Sequence, residues 1–442
     1  MTQPENLAQW LDYIQQLHPS QIDMGLDRLR QVATRLNIGK PAPVVITVTG
    51  TNGKGSHVAT LDAVFRALGY KTGSYTSPHL IHYNERVCLH GMPVKDQALT
   101  DAFSQIEQAR GAISLSYFEF GTLAALMIFQ QAALDIVILE VGLGGRLDAV
   151  NLIDADVAVI SSIGLDHQEW LGNTRESVAF EKAGIFRAGK PVVCTDAQPP
   201  ENLLAIARQL DCPVYMRTRD FDFVQQPESW QWHGSSGQRQ PGIVTMTGLP
   251  LPELQLENVS GALQAALLSG LIPNPEKLAG VLPHVLHNLH LAGRQQWAQR
   301  PHGMLLLDVS HNPQAAQSLA RTIAAWRHNT VAGARVRIVL AMMQDKDHAG
   351  YYKALEKQGD FWYIAHFDLP RCMASEELAQ RLRQCSSGTV PAIRAYASVS
   401  DAYRAACSDV VAGDLIVVCG SFITVSDVMQ LIESDMQQNN GK

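Results

Sequence analysis

Short apolar, β-branched runs alternate with longer stretches of mixed polarity along most of this chain. Residues 44–49 (Val-Val-Ile-Thr-Val-Thr) are the clearest run, and residues 71–76, 135–140, 157–161 and 191–194 repeat its type. Helical spacing of apolar positions covers residues 57–68, 100–108 and 118–131. Strands of this kind separated by helices predict a parallel sheet covered on both faces. Residues 230–248 break the rhythm; polar and rich in Gly and Gln, they predict a β-hairpin or loop attached to the domain. Helices are expected over residues 258–270 and 274–286, and the pattern fades at residues 287–293. A second alternating run then begins, with strands at 304–309, 336–341, 361–365, 392–397 and 415–419 and helices such as 314–326 and 375–384. The expected division is a parallel-sheet domain over residues 1–290 and a smaller Rossmann-like α/β domain over 291–442. The second carries no G-x-G-x-x-G, so no dinucleotide is expected there.

The link between the first strand and its helix gives this α/β pattern a chemistry. Gly50-Thr51-Asn52-Gly53-Lys54-Gly55-Ser56 joins them. Backbone N–H groups in such a loop point inward, the helix N-terminus adds positive partial charge, and Lys54 adds a full charge. Ser56 can offer its hydroxyl to Mg²⁺. The loop departs from G-x-x-x-x-G-K-[ST], because Gly50 and Gly53 lie close together and Gly55 separates Lys54 from Ser56. Its placement between strand and helix, with Lys54 and Ser56 where the chemistry needs them, still predicts a P-loop-type ATPase domain; an ordinary glycine-rich βα turn is the plain alternative.

Composition narrows the partners. At 442 residues with 46% apolar content, the chain can fill two cores. A net charge of −7 without a basic stripe speaks against nucleic acid. Seven irregularly spaced cysteines with no C-x-x-C predict neither a disulfide framework nor a zinc site. Residues 1–10 lack the basic start and apolar core of a secretory signal, and residues 122–141 are interrupted by Gln130, Gln131 and Asp135. No membrane span is expected, and the cytoplasm is the simple reading.

Further candidates stand at strand ends, where ligands bind in open α/β sheets. Glu140 closes an apolar strand before Gly142-Leu143-Gly144-Gly145. It is placed to hold Mg²⁺, and the glycines would let backbone approach a ligand; a glycine turn with a surface Glu is the plain alternative. His167 follows the next strand beside Asp166, as a metal or substrate contact or a structural histidine. Lys182, in a helical stretch, reads on composition alone as a solvated or ion-paired lysine. Asp308 and His311 end a strand of the second domain, where Asp or Asn could equally cap the next helix. Arg294 could grip a phosphate bidentately, and Asn258 could be a helix cap.

Together these segments resemble a known family. G-T-N-G-K-G-S, T-S-P-H-L (76–80), N-E-R-V (84–87), Y-F-E-F (117–120), E-V-G-L-G-G-R-L-D-A-V-N (140–151), D-H-x-x-x-L-G (166–172), E-K-A-G-I (181–185), G-R (293–294) and D-V-S-H-N-P (308–313) occur in this order. The set is similar to that of dihydrofolate synthases and folylpolyglutamate synthases, relatives of the Mur ligases, over nearly the whole chain. I-D-M-G-L-D-R-L (22–29) resembles the dihydropteroate-contacting element of bifunctional members. Ser310 and Val150 depart from the commoner alanine and threonine, and neither is a required metal ligand.

The resemblance implies residue roles. Asn52, Gly53, Lys54, Gly55 and Ser56 would hold ATP with Asn258, Arg294 and Asp308. Ser56, Glu140 and His167 would serve two Mg²⁺ sites. Lys182 would carry a CO₂-derived carbamate near the second metal. With Lys54 and Lys182, His311 completes the catalytic set. Ile22, Asp23, Met24, Ser77, Ser116, Tyr117, Phe118, Glu119, Leu147, Asp148 and Ala149 would face the pterin or folate. The implied reaction is ATP-dependent coupling of L-glutamate to dihydropteroate or a reduced folate through an acyl phosphate, in a cleft between domains whose closure excludes water, by a monomer. Chain extension alone, a nucleotide-switch protein and a cell-wall ligase of Mur type are the alternatives. No N-K-x-D motif supports a guanine-nucleotide switch.

Overall fold

In the computed structural model the apolar runs become two sheets in two compact units, Met1–Leu289 and His290–Lys442. The structure describes residues 4–18, 23–237, 242–300, 303–331, 333–369, 371–387 and 391–440.

The first unit is built on eight strands: β1 (Val44–Thr49), β2 (Thr72–Tyr75), β3 (Val87–Leu89), β4 (Met92–Pro93), β5 (Ile136–Glu140), β6 (Val157–Ile160), β7 (Val192–Cys194) and β8 (Val214–Met216). Their order is β4-β3-β2-β5-β1-β6-β7-β8. The six strands from β2 to β8 run parallel, while β3 and β4 add an antiparallel edge. The expected parallel sheet is therefore correct at its centre and mixed at one side. Two- and three-residue edge strands carry too little pattern to be read from sequence. All five residues of β5 are buried, which is why it reads as a continuous apolar run. β1 lies between β5 and β6, where connections part toward opposite edges of the sheet, so its carboxyl end opens on a crevice.

The segment expected as a hairpin belongs to a separate antiparallel sheet, β9 (Asp222–Gln225), β10 (Ser229–Ser235) and β11 (Ile243–Pro250), ordered β11-β10-β9. Period-2 burial along β10 places Trp230 and Trp232 inward. Trp232 Nε1 donates to Ser260 Oγ at 3.0 Å, and the Gln264 amide clamps Ser235 N and O at 2.9 and 2.8 Å. These bonds dock the sheet on the helix Leu256–Leu268.

The second unit has six strands, β12 (Gln296–Arg300), β13 (Gly303–Leu307), β14 (Val336–Leu340), β15 (Phe361–Ile364), β16 (Ala392–Ala395) and β17 (Asp414–Cys419), ordered β12-β13-β17-β14-β15-β16. All are parallel except β12, an antiparallel edge the sequence pattern did not single out. All seven cysteines are free thiols. Among the described residues no helix is long and apolar enough to cross a membrane.

Candidate active site

The glycine loop after β1 is held from beneath by the turn after β6. Thr51 N donates to Ser162 O at 2.8 Å, and the Thr51 hydroxyl exchanges hydrogen bonds with Gly164 O and N at 3.0 and 2.9 Å. The Ser161 hydroxyl donates to Asn52 O at 2.7 Å, and Asn52 N donates to Ser162 Oγ at 3.0 Å. Gly50 has no room for a side chain, because a Cβ would fall 1.8 Å from Ser161 Oγ. Gly53 has φ +87°, the left-handed region open to glycine, and starts the helix Lys54–Ala67. Lys54 Nζ lies back over the loop, 3.1 Å from Gly50 O and 3.4 Å from Thr51 O.

Asn258 does not cap its helix; Gln255 holds that position. Placed inside the first turn instead, Asn258 aims its amide at the loop, so a Cβ on Gly53 would meet its Oδ1 at 2.3 Å. The structure thus brings Asn258 against the phosphate loop, as sequence spacing could not reveal.

Glu140 ends β5, paired in register with Val48 of β1, and is buried rather than a surface residue. Ser77 N donates to its Oε2 at 3.3 Å, which brings the 76–80 segment to the carboxylate. His167 lies after β6 with φ +51° and precedes the short helix Gln168–Leu171, its N–H bonded to Asp166 Oδ1 at 2.9 Å. A histidine in the left-handed region is uncommon and marks a locally constrained turn.

Lys182 corrects the surface reading. It is 2% exposed, near the end of the helix Arg175–Ala183. Burial, then the nearby charge of Lys54, pushes its pKa down to about 7 against the opposing pull of Asp166 and Asp148. Lys182 shares a helix face with buried Val178 and Ala179, but the residue type alone reads as solvated.

Protein fills the side-chain positions of the glycines at 142, 144 and 145. A Cβ on Gly142 would meet the Phe118 ring at 2.6 Å, one on Gly144 Leu171 at 3.0 Å, and one on Gly145 Glu181 O at 2.9 Å. The turn packs on the helix end that carries Lys182, with Arg146 N donating to Glu181 O at 2.8 Å. Thr49 Oγ1 donates to Gly144 O at 2.6 Å and ties the turn to β1. Gly184 completes the contact, since a Cβ there would lie 2.3 Å from Arg146 Cα. Gly184→Ala is expected to cost about 1–3 kcal/mol and to displace Lys182; thermal unfolding with activity measured alongside checks this.

Most candidate acceptor contacts converge here, several as structural groups. Asp148 is buried, accepts from Leu143 N and Val150 N at 2.8 and 3.0 Å, and has its pKa pushed up to about 6, chiefly by burial. It also caps the 3₁₀ turn starting at Ala149, with Leu147 beside it. Ser116 and Glu119 form the capping box of the helix Tyr117–Gln131. Glu119 also receives Arg28 at 3.1 Å, and Arg28 pairs with Asp23 at 2.5 Å. Met24 Cε stands 3.5 Å from a Cβ at Gly144, Phe118 lies on Gly142, and Tyr117 packs on Tyr83. Ile22 lies outside the described residues.

The second unit gathers its own candidates at the carboxyl ends of β13 and β17. Asp308 is buried and accepts from Ser310 N and Gln295 N at 2.9 and 3.1 Å, and burial raises its pKa despite the charge of Arg294. Asn312, not Asp308, caps the next helix. Arg294 lies over the Phe422 ring at 5.1 Å, and His311 packs near the same ring with Nδ1 2.9 Å from Val309 O. Phe422 and Arg28 were not foreseen as partners, because each acts through residues distant in the chain.

A glycine loop and a strand-end carboxylate on one sheet, a buried lysine on a helix packed against the neighbouring turn, and a second α/β unit together define a ligase of the Mur type. The family models agree: residues 48–216 match the Mur ligase middle domain, and residues 293–422 match the Mur ligase glutamate ligase domain. The dihydrofolate synthase/folylpolyglutamate synthase of Escherichia coli strain K12 is 42% identical over 436 residues, covering 99% of this chain and 97% of that protein. An E. coli FolC structure in complex with DHPP and ADP superposes with a TM-score of 0.90 at 41% identity, covering 99% of this chain and 100% of that one. A bifunctional folylpolyglutamate synthase/dihydrofolate synthase with Mn, AMPPNP and L-glutamate bound gives 0.87 at 42% identity, covering 98% and 100%. The chain belongs to the dihydrofolate synthase/folylpolyglutamate synthase family.

Proposed function

We propose that this protein is an ATP-dependent ligase that joins L-glutamate to dihydropteroate, forming dihydrofolate, and to the γ-carboxyl of reduced folates. The observation that carries the reading is the convergence of the Lys54 loop, Glu140 and buried Lys182 at the carboxyl ends of β1 and β5 and the turn packed on them.

The acid's carboxylate is a poor acyl donor, because its leaving group would be oxide. Attack of a carboxylate oxygen on the γ-phosphorus of ATP expels ADP and forms an acyl phosphate. The glutamate amine then attacks the acyl carbon, loses a proton, and phosphate departs. Lys54 and the N–H groups of the loop and helix start neutralise charge on the phosphates during transfer. Asn258 supports the loop beside Gly53. Arg294 and Asp308 serve as further nucleotide contacts, with His311 next to them. No side-chain nucleophile is required.

The donor set suits Mg²⁺. Among the described residues no three His, Cys, Asp or Glu side chains converge on one point; Mg²⁺ bound through one or two carboxylates plus substrate phosphates needs no such cage. Ser56 and Glu140, with Ser77 alongside, would hold one ion, and His167 would hold a second near modified Lys182. Bound there, Mg²⁺ supplies positive charge to the phosphate oxygens. At neutral pH a large share of Lys182 is the free amine, the form that adds to CO₂ and gives a carbamate and a proton. The protein is further proposed to act as a cytoplasmic monomer on small molecules, without nucleic acid.

Incubation with ATP, Mg²⁺, labelled glutamate and each acceptor separately, followed by mass analysis, tests the assignment. One added glutamate is expected on dihydropteroate and one or more on reduced folate. No product from dihydropteroate would reduce the activity to chain extension. Phosphate release indifferent to glutamate would favour a switch.

A further inference from the structure

One buried polar pair beneath the phosphate loop has no part in the chemistry above. His57 follows Ser56 in the first turn of the helix Lys54–Ala67 and is fully buried. Its Nδ1 lies 2.9 Å from Gly53 O, and its Nε2 lies 3.1 Å from the hydroxyl of Thr195, which is buried just past the end of β7. The carbonyl can only accept, so Nδ1 carries the hydrogen; the neutral ring's Nε2 then accepts from the Thr195 hydroxyl. Gly53 O receives two donors from one residue, since His57 N also reaches it at 3.1 Å.

The same pair seats a second element. A Cβ at Gly261 would fall 2.3 Å from Thr195 Oγ1 and 2.7 Å from His57 Nε2, so only a glycine lets the helix Leu256–Leu268 settle there. Asn258, one turn earlier on that helix, is the residue whose amide abuts Gly53. The imidazole therefore touches the loop through the Gly53 carbonyl and the Asn258 helix through Gly261.

We infer that His57 is a positioning residue for nucleotide binding: with Thr195 it fixes the Gly53 carbonyl and the helix of Asn258 in one arrangement, so that the loop N–H groups are aimed before the phosphates arrive. The inference rests on the nucleotide reading of the loop. It concerns preorganisation, which lowers the ordering cost of binding.

The test is calorimetric titration of the full chain with ADP and Mg²⁺, together with steady-state kinetics, for the parent protein, His57→Ala, His57→Asn and Thr195→Val. His57→Ala is expected to raise the ADP Kd and the KM for ATP about tenfold, the loss of one well-made buried hydrogen bond, while the KM for glutamate stays unchanged. His57→Asn, which can still donate to Gly53 O, should recover most of the loss. Thr195→Val should shift the same parameters in the same direction, and the double variant should add little to His57→Ala. If His57→Ala fails to fold, the Thr195→Val and His57→Asn titrations decide. Unchanged ADP affinity in the variants, or equal losses for all substrates without rescue by asparagine, would overturn the inference. Failure of the parent protein to bind ADP would instead sink the nucleotide reading itself.

Discussion

Lys54→Ala is expected to lower kcat by about 10²–10³ while leaving the folded state intact. The ammonium lies on Gly50 O and Thr51 O of its own loop, and the Ser161–Gly164 turn anchors that loop independently. Its removal therefore costs charge rather than architecture. The charge is needed most when the γ-phosphoryl is in flight, so the loss should fall on kcat more than on the KM for glutamate. Lys54→Arg should not restore the rate, because a planar fork cannot replace a compact ammonium in a closely fitted loop. Single-turnover phosphate release by wild type and both variants measures this, and near-normal turnover by Lys54→Ala would remove the proposed phosphoryl transfer.

Lys182→Met should inactivate the enzyme yet make the protein more stable. The Lys182 pKa of about 7 in the folded chain lies below its unfolded value of 10.5. Between those values the unfolded state binds the extra proton, so stability rises with pH across that window, and below pH 7 the buried charge is a full penalty. An apolar chain of similar length removes the penalty, by a few kcal/mol at most. Melting temperatures should rise for Lys182→Met, most clearly on the acid side. Activity should vanish, because methionine cannot form a carbamate. In Lys182→Ala, where space is left, millimolar acetate or formate should restore part of the rate by supplying a carboxylate. Bicarbonate depletion should lower wild-type activity and leave the acetate-rescued variant unaffected. A Lys182→Met protein with ordinary turnover would exclude the carbamate.

The centre of the fold was readable because β1 and β5 are buried on both faces and so appear as unbroken apolar runs. The loop after β1 was readable because Lys54 and Ser56 follow glycines between a strand and a helix. Edges were not. β3, β4, β8 and β12 owe their strand state to a neighbour already in place, and a few residues of sequence hold no trace of it. The site shows the same division. Glu140 was visible as a polar residue ending an apolar strand. The burial of Lys182 was not, because a lysine in a helix reads as solvated even where, as here, it shares a face with buried Val178 and Ala179. In the 142–145 turn the missing side chains make way for Phe118, Leu171 and Glu181. From its own surroundings Asn258 could equally have been a helix cap, the commonest task of an asparagine near a helix start; Gln255 takes that place.

The three-stranded sheet β9–β11 looks like ornament, yet Trp232 and Gln264 bolt it to the helix whose first turn presents Asn258. In the proposed reading it is a buttress behind the nucleotide seat. Mutational drift in that ribbon should therefore surface as altered appetite for ATP, and laboratory selection for a tighter or looser grip on nucleotide can be aimed there without touching the proposed catalytic groups.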